Sequence, residues 1–65
     1  MNNVHWDTSK KDFVENKKVD DFLRAIAEVC KEHGFSLSHE DIHGAFIVEE
    51  YDEDNIQYLM EAMIG

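Results

Sequence analysis

Apolar residues recur at helical spacing between Val19 and Cys30, and this periodicity is the feature that most limits the folds open to the chain. The apolar positions follow the i, i+3, i+4, i+7 pattern of one helix face, and charged side chains occupy the opposite face. They are Val19, Phe22, Leu23, Ile26, Val29 and Cys30. Asn16 is suited to cap the amino end of this helix, and Gly34 is suited to the backbone turn after its last residue. The pattern therefore predicts an α-helix at about residues 17–33.

Two short stretches after this helix have the composition of β-strands. Residues 35–39 alternate apolar and polar side chains, and residues 44–50 are rich in aromatic and β-branched side chains. The residues between them suit a hairpin loop of four or five residues, with Gly44 available for a positive φ angle. Asp52 is then suited to be the N-cap of a last helix. The apolar stripe of that helix would be Ile56, Leu59, Met60 and Met63.

These elements predict an α+β fold in the order helix, strand, strand, helix (αββα), as a single domain over residues 17–65. We expect one face of the two-stranded antiparallel hairpin to pack against both helices. The hairpin side chains expected beneath the helices are Phe35, Leu37, Phe46 and Val48. Residues 1–16 have no comparable periodicity, although Ser9 could cap a short helical turn. They are predicted to form a loosely ordered N-terminal arm, with the alternative of an arm that packs separately and covers exposed core with Val4 and Trp6.

The chain is short for a stable monomer. A domain of 65 residues buries only about 60% of the surface that its unfolded chain exposes, and small folds usually need a disulfide, a metal or association for support. Cys30 is the only cysteine, so no disulfide can form within one chain. An isolated hairpin also leaves its strand edges unpaired. Association of two copies through strand edges, or cover from Trp6, would meet both needs, so a homodimer is one expectation.

The cysteine usage and the N-terminus both predict a cytoplasmic protein. Small secreted domains usually carry paired cysteines, whereas this chain has one. The first residues lack the basic start and apolar run of a secretion signal, and no segment approaches the roughly 20 apolar residues of a membrane span. Because Cys30 lies on the apolar stripe of the first helix, we expect a buried side chain rather than a reactive thiol.

The net charge of −9 comes entirely from the second half of the chain. Residues 1–31 contain six acidic and six basic residues, whereas residues 32–65 contain nine acidic residues and no lysine or arginine. Phosphate groups are bound by cations, so this distribution argues against direct binding of nucleic acid or of an anionic membrane. It favours attraction to a basic protein surface.

Residues 39–43 read His-Glu-Asp-Ile-His and match the H-E-x-x-H signature of zinc proteases. That chemistry needs His39 and His43 on one face of a helix, with Glu40 beside a zinc-bound water. The preceding residues alternate as a strand and Gly44 follows at once, so no helix is expected here. We therefore interpret both histidines as loop residues and predict neither a catalytic residue nor a cofactor. A small metal- or ligand-binding site on His39, Glu40, Asp41 and His43 is the alternative.

Residues 49–54 form the densest group of negative charges, with five acidic residues in six positions. A calcium loop of the EF-hand type is not expected, because Asp52 and Asp54 lack the glycine and the spaced glutamate of that motif. Two interpretations are open: a solvated strand end with a well-charged helix start, or a docking surface that imitates the phosphates of nucleic acid. The residues predicted for partner binding are Glu40, Asp41, Glu49, Glu50, Asp52, Glu53 and Asp54.

Residues 30–51 read C-K-E-H-G-F-S-L-S-H-E-D-I-H-G-A-F-I-V-E-E-Y. This stretch resembles a group of very short bacteriophage and prophage proteins with the pattern C-K-x-x-G-x-S-x-S-H-E-D-x-H-G-A-F-I, and the resemblance covers about residues 30–65. The group has no known activity that could be assigned to particular residues. The resemblance implies a setting in the host cytoplasm, where small acidic phage proteins often bind and disable host enzymes or defence complexes.

Charge and resemblance together lead to one functional hypothesis. The chain is expected to be a non-enzymatic inhibitor or adaptor that docks on a basic, nucleic-acid-binding surface of a host protein. A plain interaction module that acts as a homodimer is a further alternative, beside the metal- or ligand-binding loop.

Overall fold

The computed structural model describes residues 4–65, which form two antiparallel strand pairs and two helices. In chain order the elements are β1 (Val4–Asp7), β2 (Asp12–Glu15), α1 (Lys17–His33), β3 (Phe35–His39), β4 (Phe46–Glu50) and α2 (Glu53–Met60). The α+β class is confirmed. The predicted order αββα is wrong, because a β-hairpin precedes α1 and the order is ββαββα.

The helix α1 begins and ends where the sequence predicts. The side-chain oxygen of Asn16 accepts a hydrogen bond of 3.1 Å from the backbone N–H of Val19, which satisfies one of the free donors of the first turn. Gly34 has a φ angle of 76°, and its N–H donates to the carbonyl oxygens of Cys30 and Lys31. This left-handed backbone is easy for glycine and strained for other residues, so Gly34 sets the turn from α1 into β3.

Residues 4–15 form an ordered hairpin rather than the loosely ordered arm that the sequence predicts for residues 1–16, of which residues 1–3 lie outside the described residues. The turn depends on Asp7, whose Oδ1 accepts hydrogen bonds from the backbone N–H groups of Ser9 and Lys10 and from the Ser9 hydroxyl. An aspartate can close a turn in this way without glycine. Ser9 therefore lies in the turn between β1 and β2 and does not start a helix. Trp6 and Phe13 face each other across the pair, with ring centroids 5.2 Å apart.

The C-terminal segment holds this first hairpin in place. The Ile64 N–H donates to the Trp6 carbonyl oxygen, and the Thr8 N–H donates to the Ile64 carbonyl oxygen, both at 2.9 Å. His5 adds a side-chain contact to the same segment, because its Nδ1 lies 2.7 Å from the carbonyl oxygen of Ala62. The hairpin is thus joined to the end of the chain by backbone and side-chain hydrogen bonds.

The core of the described residues is small and partly polar. Its buried apolar side chains are Leu23 and Cys30, both on α1, so the prediction of a buried Cys30 is confirmed. The buried polar side chains are His5, Asp7, Asp20 and Ser36. Burial of polar groups is tolerated when they are hydrogen-bonded, and each of these four side chains has at least one hydrogen bond.

The hairpin β3–β4 packs only in part through the face that the sequence predicts. The register places on one face the apolar side chains of Phe35, Leu37, Phe46 and Val48. Leu37 is half-buried beside α2, whereas the other three side chains are 53%, 81% and 65% exposed. On the opposite face Ser36 is buried, and its hydroxyl accepts a hydrogen bond from the Asn55 amide of α2 at 3.1 Å. The predicted packing is therefore wrong for Phe35, Phe46 and Val48, and the hydrogen-bonded Ser36 is the buried residue of β3 next to α2.

Candidate binding surface

The seven carboxylates predicted for partner binding lie in two groups. Glu40 and Asp41 belong to the loop between β3 and β4. The other group runs from the end of β4 into the first turn of α2 and comprises Glu49, Glu50, Asp52, Glu53 and Asp54. Only the first three residues of β4, residues 46–48, lie between this loop and Glu49, a strand length of about 10 Å. The structure therefore exposes these side chains, Glu40 only in part, without bringing them into a single cluster.

Three of these carboxylates also stabilise the local structure. The side chain of Asp52 accepts hydrogen bonds from backbone N–H groups in the first turn of α2 and so caps that helix, as the sequence predicts. Glu40 accepts a hydrogen bond from the backbone N–H of His43 inside the hairpin loop. Glu49 accepts one from the Ser38 hydroxyl on the neighbouring strand. These three carboxylates thus use part of their hydrogen-bonding capacity within the chain, where they stabilise the local backbone.

The side chains of Glu50, Glu53 and Asp54 make no hydrogen bond within residues 4–65 and are exposed. Glu53 and Asp54 lie in the first turn of α2, where negative charge is favoured by the positive end of the helix dipole. These three carboxylates can meet a partner without first breaking an internal contact.

The strand β4 is the most exposed regular element of residues 4–65. All five of its residues are exposed, and it contacts β3 but no other described helix or strand. Its exposed side chains include Phe46 and Val48. Sequence reasoning missed this surface because alternation shows which side chains share a face but does not show which face is covered.

A groove of about 700 Å³ lies between the β3–β4 hairpin and α2. It is lined by Leu37, Ser38, His39, Asp41, Phe46, Asn55, Tyr58, Leu59, Glu61, Ala62 and Met63. Three of the large apolar side chains, on Phe46, Tyr58 and Met63, are mainly exposed to solvent. The carboxylates of Asp41 and Glu61 belong to the same walls. A groove with this lining suits an apolar segment that also carries positive charge.

The histidines of the H-E-x-x-H sequence do not have zinc-protease geometry. The motif starts at the end of β3 and runs into a turn, so the required helix is missing. The nearest carboxylate oxygen to Nδ1 of His39 is Oδ1 of Asp41, at 3.9 Å. Residues 4–65 contain no group of three or more His, Cys, Asp or Glu side chains placed to hold a metal ion. Zinc binding by His39 and His43 stays a prediction that native mass spectrometry with and without zinc would test.

A buried ionisable pair lies outside these surfaces. The imidazole of His5 is fully buried, and its Nε2 lies 2.5 Å from Oδ1 of Asp20. The hydrogen bond to Asp20 raises the pKa of His5 above its ordinary value, and the contact with the Ala62 carbonyl acts in the same direction against the effect of burial. Because solvent and substrate cannot reach the pair, its geometry suits a structural role. Nothing in the residue spacing pointed to this pair.

No protein-family model, curated protein or solved structure matches the chain. The resemblance to short phage proteins therefore stays a prediction. Neither of the described helices is both long enough and apolar enough to cross a membrane.

Proposed function

We propose that the chain is a non-enzymatic binding protein of the inhibitor or adaptor kind, and that its acidic second half docks on a basic, nucleic-acid-binding surface of another protein. In the setting implied by the phage resemblance, this partner is a host protein. One observation carries the proposal: exposed apolar side chains share a groove with carboxylates, in a half of the chain that has no lysine or arginine.

The lining of the groove specifies the kind of segment that would bind. An amphipathic helix can place its apolar stripe against Phe46, Tyr58 and Met63 and direct lysine or arginine side chains to Asp41 and Glu61. Exposed ion pairs contribute only about 0.2–1 kcal/mol each. Apolar contact would therefore supply most of the affinity, whereas the carboxylates would set orientation and speed association.

The second carboxylate group extends the acidic surface beyond the groove. The side chains of Glu50, Glu53 and Asp54 have no hydrogen bond within residues 4–65 to give up, so lysine and arginine side chains of a partner could pair with them directly. A protein surface that normally binds phosphates carries many lysine and arginine side chains. The chain and nucleic acid would therefore compete for the same basic surface of the partner.

A pair of synthetic peptides tests the proposal. The first is a helix of leucine and lysine with one apolar stripe, and the second has the same composition in scrambled order. We expect the amphipathic peptide to bind at least about tenfold more tightly in fluorescence anisotropy, with an affinity that falls steeply as salt is raised. Backbone NMR shifts should change around the groove and not along α1. Equal binding of both peptides would contradict the groove as the binding site.

Matched charge variants separate the acidic surface from net charge. The triple variant Glu50→Gln, Glu53→Gln, Asp54→Asn removes three charges from the proposed surface, and the control Glu15→Gln, Glu28→Gln, Glu32→Gln removes three exposed charges elsewhere. At low salt we expect the first to weaken peptide binding by roughly tenfold, from three ion pairs of about 0.5 kcal/mol each. The control should change it by less than about threefold. An equal loss in both variants would mean that only net charge matters.

A further inference from the structure

We infer that two copies of this chain associate through the free edges of β4 and form a four-stranded antiparallel sheet in the order β3, β4, β4, β3. The inference goes beyond the proposed function, because it concerns the edge of the strand and its fit to a second copy, although Phe46 and Glu50 belong to both surfaces.

The exposed area of the single chain is too large for its mass. Its accessible surface is 5344 Å², whereas the usual relation between area and mass gives about 4,300 Å² for a compact monomer of 7.6 kDa. The excess of about 1,000 Å² is close to the roughly 800 Å² that each partner buries in a standard protein interface. Phe46 and Val48 of β4 are among the large apolar side chains that this surface exposes.

The edge of β4 presents backbone groups that are ready to pair. The Tyr51 N–H donates to the Gly34 carbonyl, and the Glu40 N–H donates to the Ala45 carbonyl, so odd-numbered residues of β4 direct their backbone groups toward β3. In an antiparallel ladder the direction alternates with each residue. The N–H and C=O groups of Phe46 and Val48 therefore point away from β3, and no other described element contacts this strand.

A two-fold axis at Val48 gives the longest overlap of two β4 strands. It places Val48 opposite Val48 of the second copy and Phe46 opposite Glu50. The backbone groups of Phe46 and Val48 face outward on both strands, whereas the Glu50 carbonyl oxygen already accepts a hydrogen bond from the Ser36 hydroxyl. Ile47 then lies opposite Glu49. No glutamate of β4 has a glutamate directly opposite, whereas a parallel pairing in register would align Glu49 with Glu49 and Glu50 with Glu50. The antiparallel arrangement avoids the like-charge pairs that destabilise a sheet.

The charge distribution gives this association a recognisable salt dependence. Each copy brings a half with only acidic residues to the contact, so long-range repulsion opposes the encounter at low salt. Added salt should therefore strengthen the dimer. Binding of a basic peptide should instead weaken with salt. The dimer and the peptide-binding function can therefore be tested, and can fail, separately.

Analytical ultracentrifugation of the full chain tests the inference. We expect a monomer–dimer equilibrium that shifts toward the dimer between about 50 mM and 500 mM salt, as repulsion is screened. Val48→Glu should weaken the dimer by on the order of tenfold or more, because it adds like charges on the axis. Ile42→Glu is the matched control, since Ile42 is 85% exposed in the hairpin loop and lies outside β4. It should leave the dimer unchanged.

A cysteine on the axis tests the register without adding charge. Residues in a hydrogen-bonded antiparallel pair have Cα atoms about 5.5 Å apart, which suits a disulfide. Val48→Cys should therefore cross-link two copies on mild oxidation, and Ile42→Cys should not. Circular dichroism of each variant establishes that it is folded. A wild-type chain that stays monomeric at millimolar concentration in high salt, or a dimer that is insensitive to Val48→Glu and is not cross-linked by Val48→Cys, would overturn the inference.

Discussion

The imidazole of His5 and the carboxylate of Asp20 form a buried pair in which 2.5 Å separates Nε2 from Oδ1. The second ring nitrogen, Nδ1, lies 2.7 Å from the carbonyl oxygen of Ala62 and must donate a proton to it. One side chain thus joins β1 to α1 and to the C-terminal segment. A protonated imidazole can donate to both oxygens at once, which is consistent with the raised pKa of His5.

The raised pKa of His5 predicts that stability falls as the pH rises above neutrality. The folded chain holds this proton more tightly than the unfolded chain, whose histidine has a pKa near 6.5. The stabilisation is therefore complete below about pH 6 and is lost as the pH rises through the folded-state pKa of His5. Urea unfolding followed by circular dichroism between pH 6 and pH 9 should show a falling midpoint.

The variant Asp20→Asn provides the comparison, because an amide keeps the size of the side chain and removes its charge. It should destabilise the chain at pH 6, since it breaks a buried charged pair, and it should flatten the pH profile. His33→Gln changes an exposed histidine and serves as the control that keeps the wild-type slope. A slope that persists unchanged in Asp20→Asn would show that other groups control the pH dependence.

The turn of the first hairpin contains a strained lysine. Lys11 has a φ angle of 54°, a left-handed conformation that costs about 1–2 kcal/mol for residues other than glycine. Lys11→Gly should therefore stabilise the chain by about 0.5 kcal/mol, after the greater freedom of glycine in the unfolded chain is deducted. Lys10→Gly has the same chemical change at a position without positive φ and should destabilise by about 0.5–1 kcal/mol. Equal midpoints for the two variants in urea unfolding would contradict this account of the turn.

The small core predicts a strong contrast between neighbouring residues on α1. Leu23 is 4% exposed, whereas Phe22 is 64% exposed. Leu23→Ala should lower the free energy of unfolding by about 3 kcal/mol, and Phe22→Ala should change it by no more than about 0.5 kcal/mol.

Reaction of the buried Cys30 thiol with a thiol reagent measures how often the core opens. Its rate should rise on the order of a hundredfold in Leu23→Ala and stay near wild type in Phe22→Ala. Similar rates in both variants would contradict the assigned core.

Features set by neighbouring residues could be predicted from the sequence. The bounds of α1, its cap at Asn16 and its end at Gly34 depend on contacts within one turn of chain, and the structure confirms them. The same is true of β3, of the positive φ angle of Gly44 and of the α2 cap at Asp52. Each of these residues has a preferred backbone conformation or a short-range hydrogen bond that its type alone indicates.

Features set by distant residues could not be predicted. The first hairpin is held by Ile64 and Ala62, which lie more than 50 residues along the chain from its β1 strand. Its strands have four residues each, too few for a clear alternation. The choice of the covered face of β3 depends on the hydrogen bond between Ser36 and Asn55, a polar contact that apolar periodicity does not register. The candidate groove could not be predicted for the same reason, because it forms where β3, β4 and α2 meet.

Asp52 has a structural role that can be measured separately from a role in binding. Its carboxylate lies 2.8 Å from the backbone N–H of Asp54 and caps α2. Asp52→Ala should therefore reduce stability by about 1 kcal/mol, whereas Asp52→Asn should reduce it by only a few tenths, because asparagine caps helices about as well as aspartate. Both changes remove one negative charge, so both should weaken binding of the amphipathic basic peptide by about two- to threefold. Urea unfolding and fluorescence anisotropy measure the two effects separately. If Asp52→Asn bound the peptide as tightly as wild type and only the destabilised Asp52→Ala bound it more weakly, the charge of Asp52 would not be part of the binding surface.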